Sequence, residues 1–124
     1  SAEAATSAGQ GMQLRIAVDY SARDEILRAA TRFYTTLEIS QEAFGQILGR
    51  VSHAGEGFPD VDLLIRTGGE QRLSDFLLWE CAYAEMIFSK KMWPDFGAAD
   101  LEAAIREYHT RPRRFGRIPE QKAG

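Results

Sequence analysis

Apolar residues recur at two spacings along this 124-residue chain, and the changes of spacing mark its elements. Residues 12–18, MQLRIAV, alternate apolar and polar side chains, a period of two that predicts a short strand. The period then lengthens. In SARDEILRAATRFYTTL, residues 21–37, Ile26, Leu27, Ala30, Phe33, Tyr34 and Leu37 fall at helical spacing behind a Ser21/Asp24 capping pair. A second helix is expected from an N-cap at Ser40, with Ala43, Phe44, Ile47, Leu48 and Val51 on one face. The two glycines and the proline of SHAGEGFPD end it.

The second half repeats the alternation of types. VDLLIRT (61–67) is a nearly continuous apolar run of strand length, as expected of a strand covered on both faces in a parallel sheet. Ser74 can cap a following helix, whose residues Phe76 to Ala84 are apolar nearly all round and predict deep burial. EMIFS (85–89) reads as a third strand. GAADLEAAIREYH, with Leu101, Ala104, Ile105 and Tyr108 on one stripe and acids in its first turn, reads as a last helix. Strands alternating with helices predict an α/β domain with a mostly parallel sheet and flanking helices.

Composition narrows the class. With 44% hydrophobic and 27% charged residues the chain suits one globular domain, and a net charge of −3 argues against a general nucleic-acid coat. The single cysteine, Cys81, can form no internal disulfide, so a cytoplasmic setting is expected. The longest apolar stretch, FLLWECAYAEMIF, is interrupted by Glu80 and Glu85 and is too short to span a bilayer. Residues 1–11, small and polar, read as a flexible leader without the character of a secretion signal.

Chemistry concentrates in RTGGEQRLS, residues 66–74, at the carboxyl end of the second strand, where open α/β sheets place ligands. Arg66 and Arg72 each present a planar fork of donors suited to phosphate oxygens. Gly68 and Gly69 permit unusual dihedrals and close backbone approach, and Ser74 adds a hydroxyl at an expected helix N-terminus. The competing reading is structural: arginines paired with Glu70, Asp75 or Glu80 around a glycine turn. Neither a Walker loop nor a G-x-G-x-x-G accompanies the cluster. His53 and His109 lack metal-ligand spacing, and Asp60 with Asp62 reads as strand-entry polarity.

The run DLLIRTGGEQRLSDFLLWECAYAEMIFSKKMWPDF, together with RRFG, closely resembles the carboxyl-terminal half of cis-prenyltransferases of the undecaprenyl diphosphate synthase type. Upstream, LRIAVDYSARDEI is similar to the family's strand followed by a Tyr-Gly-Gly-Arg turn, so the resemblance covers residues 12–116 and leaves 117–124 as a tail. The resemblance implies part of the cis-prenyltransferase fold and a transferase that joins isopentenyl diphosphate to an allylic diphosphate such as farnesyl diphosphate. Arg66, Arg72 and Ser74 would hold the isopentenyl diphosphate. Arg114 and Gly116 match the family's Arg-x-Gly motif, which contributes to that site across a dimer interface, and Glu85 matches a carboxylate that helps bind Mg²⁺. A homodimer or pairing with an amino-terminal half is implied, as is peripheral membrane association through the product, with no role for nucleic acid.

Three departures qualify this expectation. Asp75 stands where the family has Asn, which places a carboxylate beside the expected diphosphate. The Tyr-Gly-Gly-Arg turn reads Tyr20-Ser21-Ala22-Arg23. The Asp-Gly-Asn-Gly-Arg-Trp motif that binds the allylic diphosphate does not occur in the sequence, and no catalytic group is identifiable in it. A non-catalytic partner subunit, an inactive fragment and a phosphate-binding module therefore stand as alternatives. If residues 74–84 formed one helix, Glu85 would lie about 16 Å along its axis from Ser74.

Overall fold

A computed structural model of the chain describes residues 2–34, 39–51 and 59–112. Its sheet consists of two parallel strands, β1 (Leu63–Arg66) and β2 (Glu85–Phe88), in the register Leu63 to Glu85 through Arg66 to Phe88. Among the described residues four α-helices accompany them: α1 (Ala2–Thr6), α2 (Ala22–Phe33), α3 (Gln41–Val51) and α4 (Ala98–Thr110). The fold is α/β with a parallel sheet, as the patterning predicts.

Capping chemistry sets the helix starts. The Ser21 hydroxyl accepts the Asp24 N–H at 3.2 Å to open α2, and the Ser40 hydroxyl accepts the Ala43 N–H at 3.0 Å to open α3. At α4 the Gly97 N–H donates to Asp100 Oδ2 at 2.9 Å. Helices α2 and α3 pack on each other around Ala29, Leu48 and Val51, with Ile26, Phe44, Ile47 and Trp79 closing the cluster. Phe44 is its aromatic hub: it meets Phe33 edge-on at 5.4 Å and lies 4.7 Å from Trp79. Helix α4 is fastened at both ends by ion pairs, Lys91 with Asp100 and Arg111 with Glu85.

Four sequence expectations are corrected. Residues 12–18 form no strand; Met12, Leu14, Ile16 and Val18 are 73–91% exposed. Alternation alone does not make a strand, because backbone N–H and C=O groups need a ladder partner, and among the described residues only β1 and β2 pair. The helix expected over 74–84 is replaced by tight turns. Ser74, Asp75 and Leu77 adopt φ of 50°, 64° and 44°, in the left-handed region that interrupts a right-handed helix. Burial there is also lower than expected, since Phe76 and Tyr83 are exposed and only Glu80 and Cys81 are buried. Within β1 only Leu64 is buried, so that strand is not covered on both faces. The short α1 falls in the segment read as a leader.

Candidate functional site

Because β1 and β2 run parallel and in register, their carboxyl ends open on the same edge of the sheet. The loop leaving β1 is tied to the segment leaving β2: the Gly68 N–H donates to Lys91 O at 2.7 Å and the Gly69 N–H to Ser89 O at 2.9 Å. Both glycines have positive φ, 86° and 79°, while a Cβ at either would meet nothing within 4 Å. Conformation, not space, calls for glycine here. Their amides are thus engaged in holding the loop and do not point at a ligand.

This tether brings the two arginines together. The Arg66 guanidinium donates to the Arg72 carbonyl, while the Arg66 carbonyl accepts the Ser89 N–H at 2.8 Å. Arg72 forms an ion pair with Glu70. The Arg72–Glu70 contact is the ion-pair arrangement that the sequence also allowed. Beside the arginines lies a cavity of about 240 Å³ whose other walls are Leu64, Ile65, Thr67, Leu73 and Phe76. A lining that combines two arginines with aliphatic and aromatic residues suits an anionic head with an apolar tail.

Ser74 is exposed and does not line that cavity. No helix begins behind it, so the helix-dipole contribution expected at this position is absent. Its neighbour Asp75 turns elsewhere: Oδ2 accepts the Ser21 hydroxyl at 2.7 Å, Oδ1 accepts the Arg23 N–H at 3.0 Å, and its carbonyl accepts the Ala22 N–H at 3.0 Å. The carboxylate expected to crowd the diphosphate caps α2 instead.

Glu85 opens β2, opposite Leu63, whereas Arg66 lies opposite Phe88. Three residues of strand separate the levels, about 10 Å at 3.3 Å per residue. The expected helix is gone, yet the described chain still does not bring Glu85 to the level of Arg66. The Glu85 Oε2 atom is held by Arg111 Nη1 at 2.9 Å, and the same nitrogen donates to Met86 O at 3.1 Å. Glu107 binds the other side of that guanidinium. Hydrogen bonds to Glu85 and then Glu107 push the Arg111 pKa further up. Among the described residues no group of three or more His, Cys, Asp or Glu is placed to hold a metal ion. The described residues thus do not by themselves build a Mg²⁺ site.

Residues 113–124 lie outside the described structure, and Arg114 and Gly116 with them; so does His53. His109, on exposed α4 surface, rests against Tyr108 at 5.4 Å. Two acids, Glu25 and Glu80, are buried. Burial, then the charges of Glu25 and Asp60, raise the Glu80 carboxyl above its ordinary range. Tyr20 is raised by burial and then by its hydrogen bond to Glu25. Cys81, 3% exposed, is held protonated by burial and then by Glu80, which makes it a core thiol rather than a nucleophile. Sequence reading missed Arg111. Its spacing of four from Glu107 was visible, but its contact with Glu85 spans 26 residues and carries no local signal.

Comparison with known proteins gives this geometry a family. The family model described as "Putative undecaprenyl diphosphate synthase" matches residues 1–116. Isoprenyl transferase 1 of Bradyrhizobium diazoefficiens is 56% identical over 93% of this chain and 45% of its own length. The ditrans,polycis-undecaprenyl-diphosphate synthase of Francisella tularensis, named as (2E,6E)-farnesyl-diphosphate specific, is 43% identical over 96% of this chain and 47% of its own length. In structure, lavandulyl diphosphate synthase from Lavandula x intermedia, solved with dimethylallyl diphosphate, superposes with a TM-score of 0.82 at 40% identity, over 93% of this chain and 51% of that one. The chain spans about half the length of the curated relatives it matches. The family match over residues 1–116 and the identity to these relatives place this chain in the undecaprenyl diphosphate synthase family.

Proposed function

We propose that this chain supplies the isopentenyl diphosphate-binding half of a cis-prenyltransferase, which condenses that substrate with an allylic diphosphate. The observation that carries the reading is the convergence of Arg66 and Arg72 beside the apolar-walled cavity at the carboxyl ends of the strands. Two relatives support this substrate class: one is named as farnesyl-diphosphate specific, the other was solved with dimethylallyl diphosphate.

In the reaction the allylic C–O bond breaks and pyrophosphate departs, a new carbon–carbon bond forms to isopentenyl diphosphate, and a proton is lost. The contribution of this half is positional. Arg66 and Arg72 orient the diphosphate of the attacking substrate and the apolar wall receives its isoprenoid portion, while Ser74, which the family resemblance assigns to the same diphosphate, lies exposed outside the cavity wall. Fixing the attacking carbon in this way lowers the entropic part of the barrier. Arg114 and Gly116 complete the clamp across a dimer interface. Glu85 would be the carboxylate this half offers to a Mg²⁺ ion, which would neutralise diphosphate charge. We place the enzyme in the cytoplasm, where its product draws it to a membrane surface. No described helix is long and apolar enough to cross one.

Incorporation of radiolabelled isopentenyl diphosphate with farnesyl diphosphate and Mg²⁺ tests this, using the chain alone and a longer native form of the protein. Product from the longer form and none from the chain alone is expected. A longer form that binds diphosphate but makes no product would support the non-catalytic partner reading.

A further inference from the structure

The stretch Arg66 to Asp75 holds two cations and two anions and is formally neutral, which is a poor starting point for a site that must hold a diphosphate. Arg72 is already paired with Glu70. Whether the loop keeps any excess positive charge therefore depends on where the Asp75 carboxylate goes. It goes to α2, and both of its oxygens are engaged there, by the Ser21 hydroxyl at 2.7 Å and the Arg23 N–H at 3.0 Å. The Ser21 oxygen does two jobs: it donates to Asp75 and accepts the Asp24 N–H at 3.2 Å. The positive end of the α2 dipole further stabilises a carboxylate at this position. Next to the contact, Tyr20 and Phe76 meet edge-on at 5.5 Å, so the residues before Ser21 and after Asp75 are locked as well.

We infer that Ser21 and Asp75 form a positioning pair that draws the Asp75 charge to the start of α2 and leaves the Arg66–Arg72 loop net positive for a diphosphate. The inference rests on the function proposed above. It also joins two departures noted in the sequence, the serine in the Tyr20–Arg23 turn and the aspartate after Ser74, into one contact between residues 54 apart. Asp75 has φ of 64°, which Asp and Asn tolerate better than other non-glycine residues, so Asp75→Asn removes the charge without forcing the backbone to change.

The test measures inorganic pyrophosphate binding to the chain by titration calorimetry at low salt, with Ser21→Ala, Ser21→Thr, Asp75→Asn and the Ser21→Ala/Asp75→Asn double variant. Loss of the Ser21 hydroxyl is expected to weaken pyrophosphate binding about fivefold, the effect of one unit charge acting at short range in water. Ser21→Thr keeps the hydroxyl and should bind as wild type. Asp75→Asn should bind at least as tightly as wild type, and in the double variant it should restore what Ser21→Ala loses. Thermal melts of each variant separate this from simple unfolding of α2, because a merely structural loss would not be rescued by removing a charge. A wild type that binds while Ser21→Ala binds equally well, or a double variant as weak as Ser21→Ala, overturns the pair alone. A wild type that binds no pyrophosphate overturns the functional reading and the pair with it.

Discussion

Arg111 Nη1 stands 2.9 Å from Glu85 Oε2, joining the end of α4 to the first residue of β2 through the acid that the family resemblance assigns to metal binding. Among the described residues Arg111 is held by three acceptors, Glu85, Met86 O and Glu107, whereas one Glu85 oxygen is engaged. The guanidinium is the fixed partner, and it sets the carboxylate's orientation.

Arg111→Ala should therefore loosen this corner and nothing else. Amide exchange at the last turn of α4 and at Met86 is expected to rise roughly tenfold, the scale of a lost hydrogen bond between charged groups. Exchange in α2 and α3 should stay as in wild type, since their core of Ala29, Leu48 and Val51 is separate. Equal acceleration throughout would mean that α4 is not fastened locally.

Gly68 and Gly69 give a second prediction. Their positive φ, with open space at each Cβ position, means that alanine would suffer from backbone conformation and not from collision. Each Gly→Ala change should cost about 1–2 kcal/mol of stability in urea unfolding. Asparagine at the same positions should cost less, because it tolerates the left-handed region. If alanine and asparagine cost the same, a steric cause would replace the conformational one.

These particulars show what the sequence could and could not convey. Helices α2, α3 and α4 were legible because period and caps are local: Ser21 and Ser40 cap where their spacing said they would. Both strands of the sheet were legible as well. The alternation at 12–18 was equally clear, but pairing depends on a partner that local sequence does not supply. Apolar density over 74–84 imitated a helix, and only the dihedrals of Ser74, Asp75 and Leu77 reveal turns. Around the site, the cluster of Arg66 and Arg72 could be read directly. The destinations of Asp75, 54 residues from Ser21, and of Arg111, 26 from Glu85, are tertiary facts.

The buried acid Glu80 gives a pH prediction. Its folded pKa lies above the ordinary 4.5, first through burial, so the folded chain binds this proton more tightly than the unfolded chain does. Its contribution to stability is therefore fullest below about pH 4.5 and declines as pH rises through the raised value. Glu80→Gln should be more stable than wild type at pH 7, by an amount that shrinks toward zero as pH falls to 4. Thermal melts across this range check it; a difference that grows on acidification would show that the charged form is the favoured one.

The central claim is that the loop from Arg66 to Ser74 holds a diphosphate, and calorimetric titration of isopentenyl diphosphate into the wild-type chain and into Arg66→Lys and Arg72→Lys tests it most directly. Lysine keeps the charge but loses the bidentate fork, so each substitution is expected to weaken binding at least about tenfold, the loss of one charge-assisted hydrogen bond. Wild-type affinity retained by both lysine variants, or no binding by the wild type, would contradict the account.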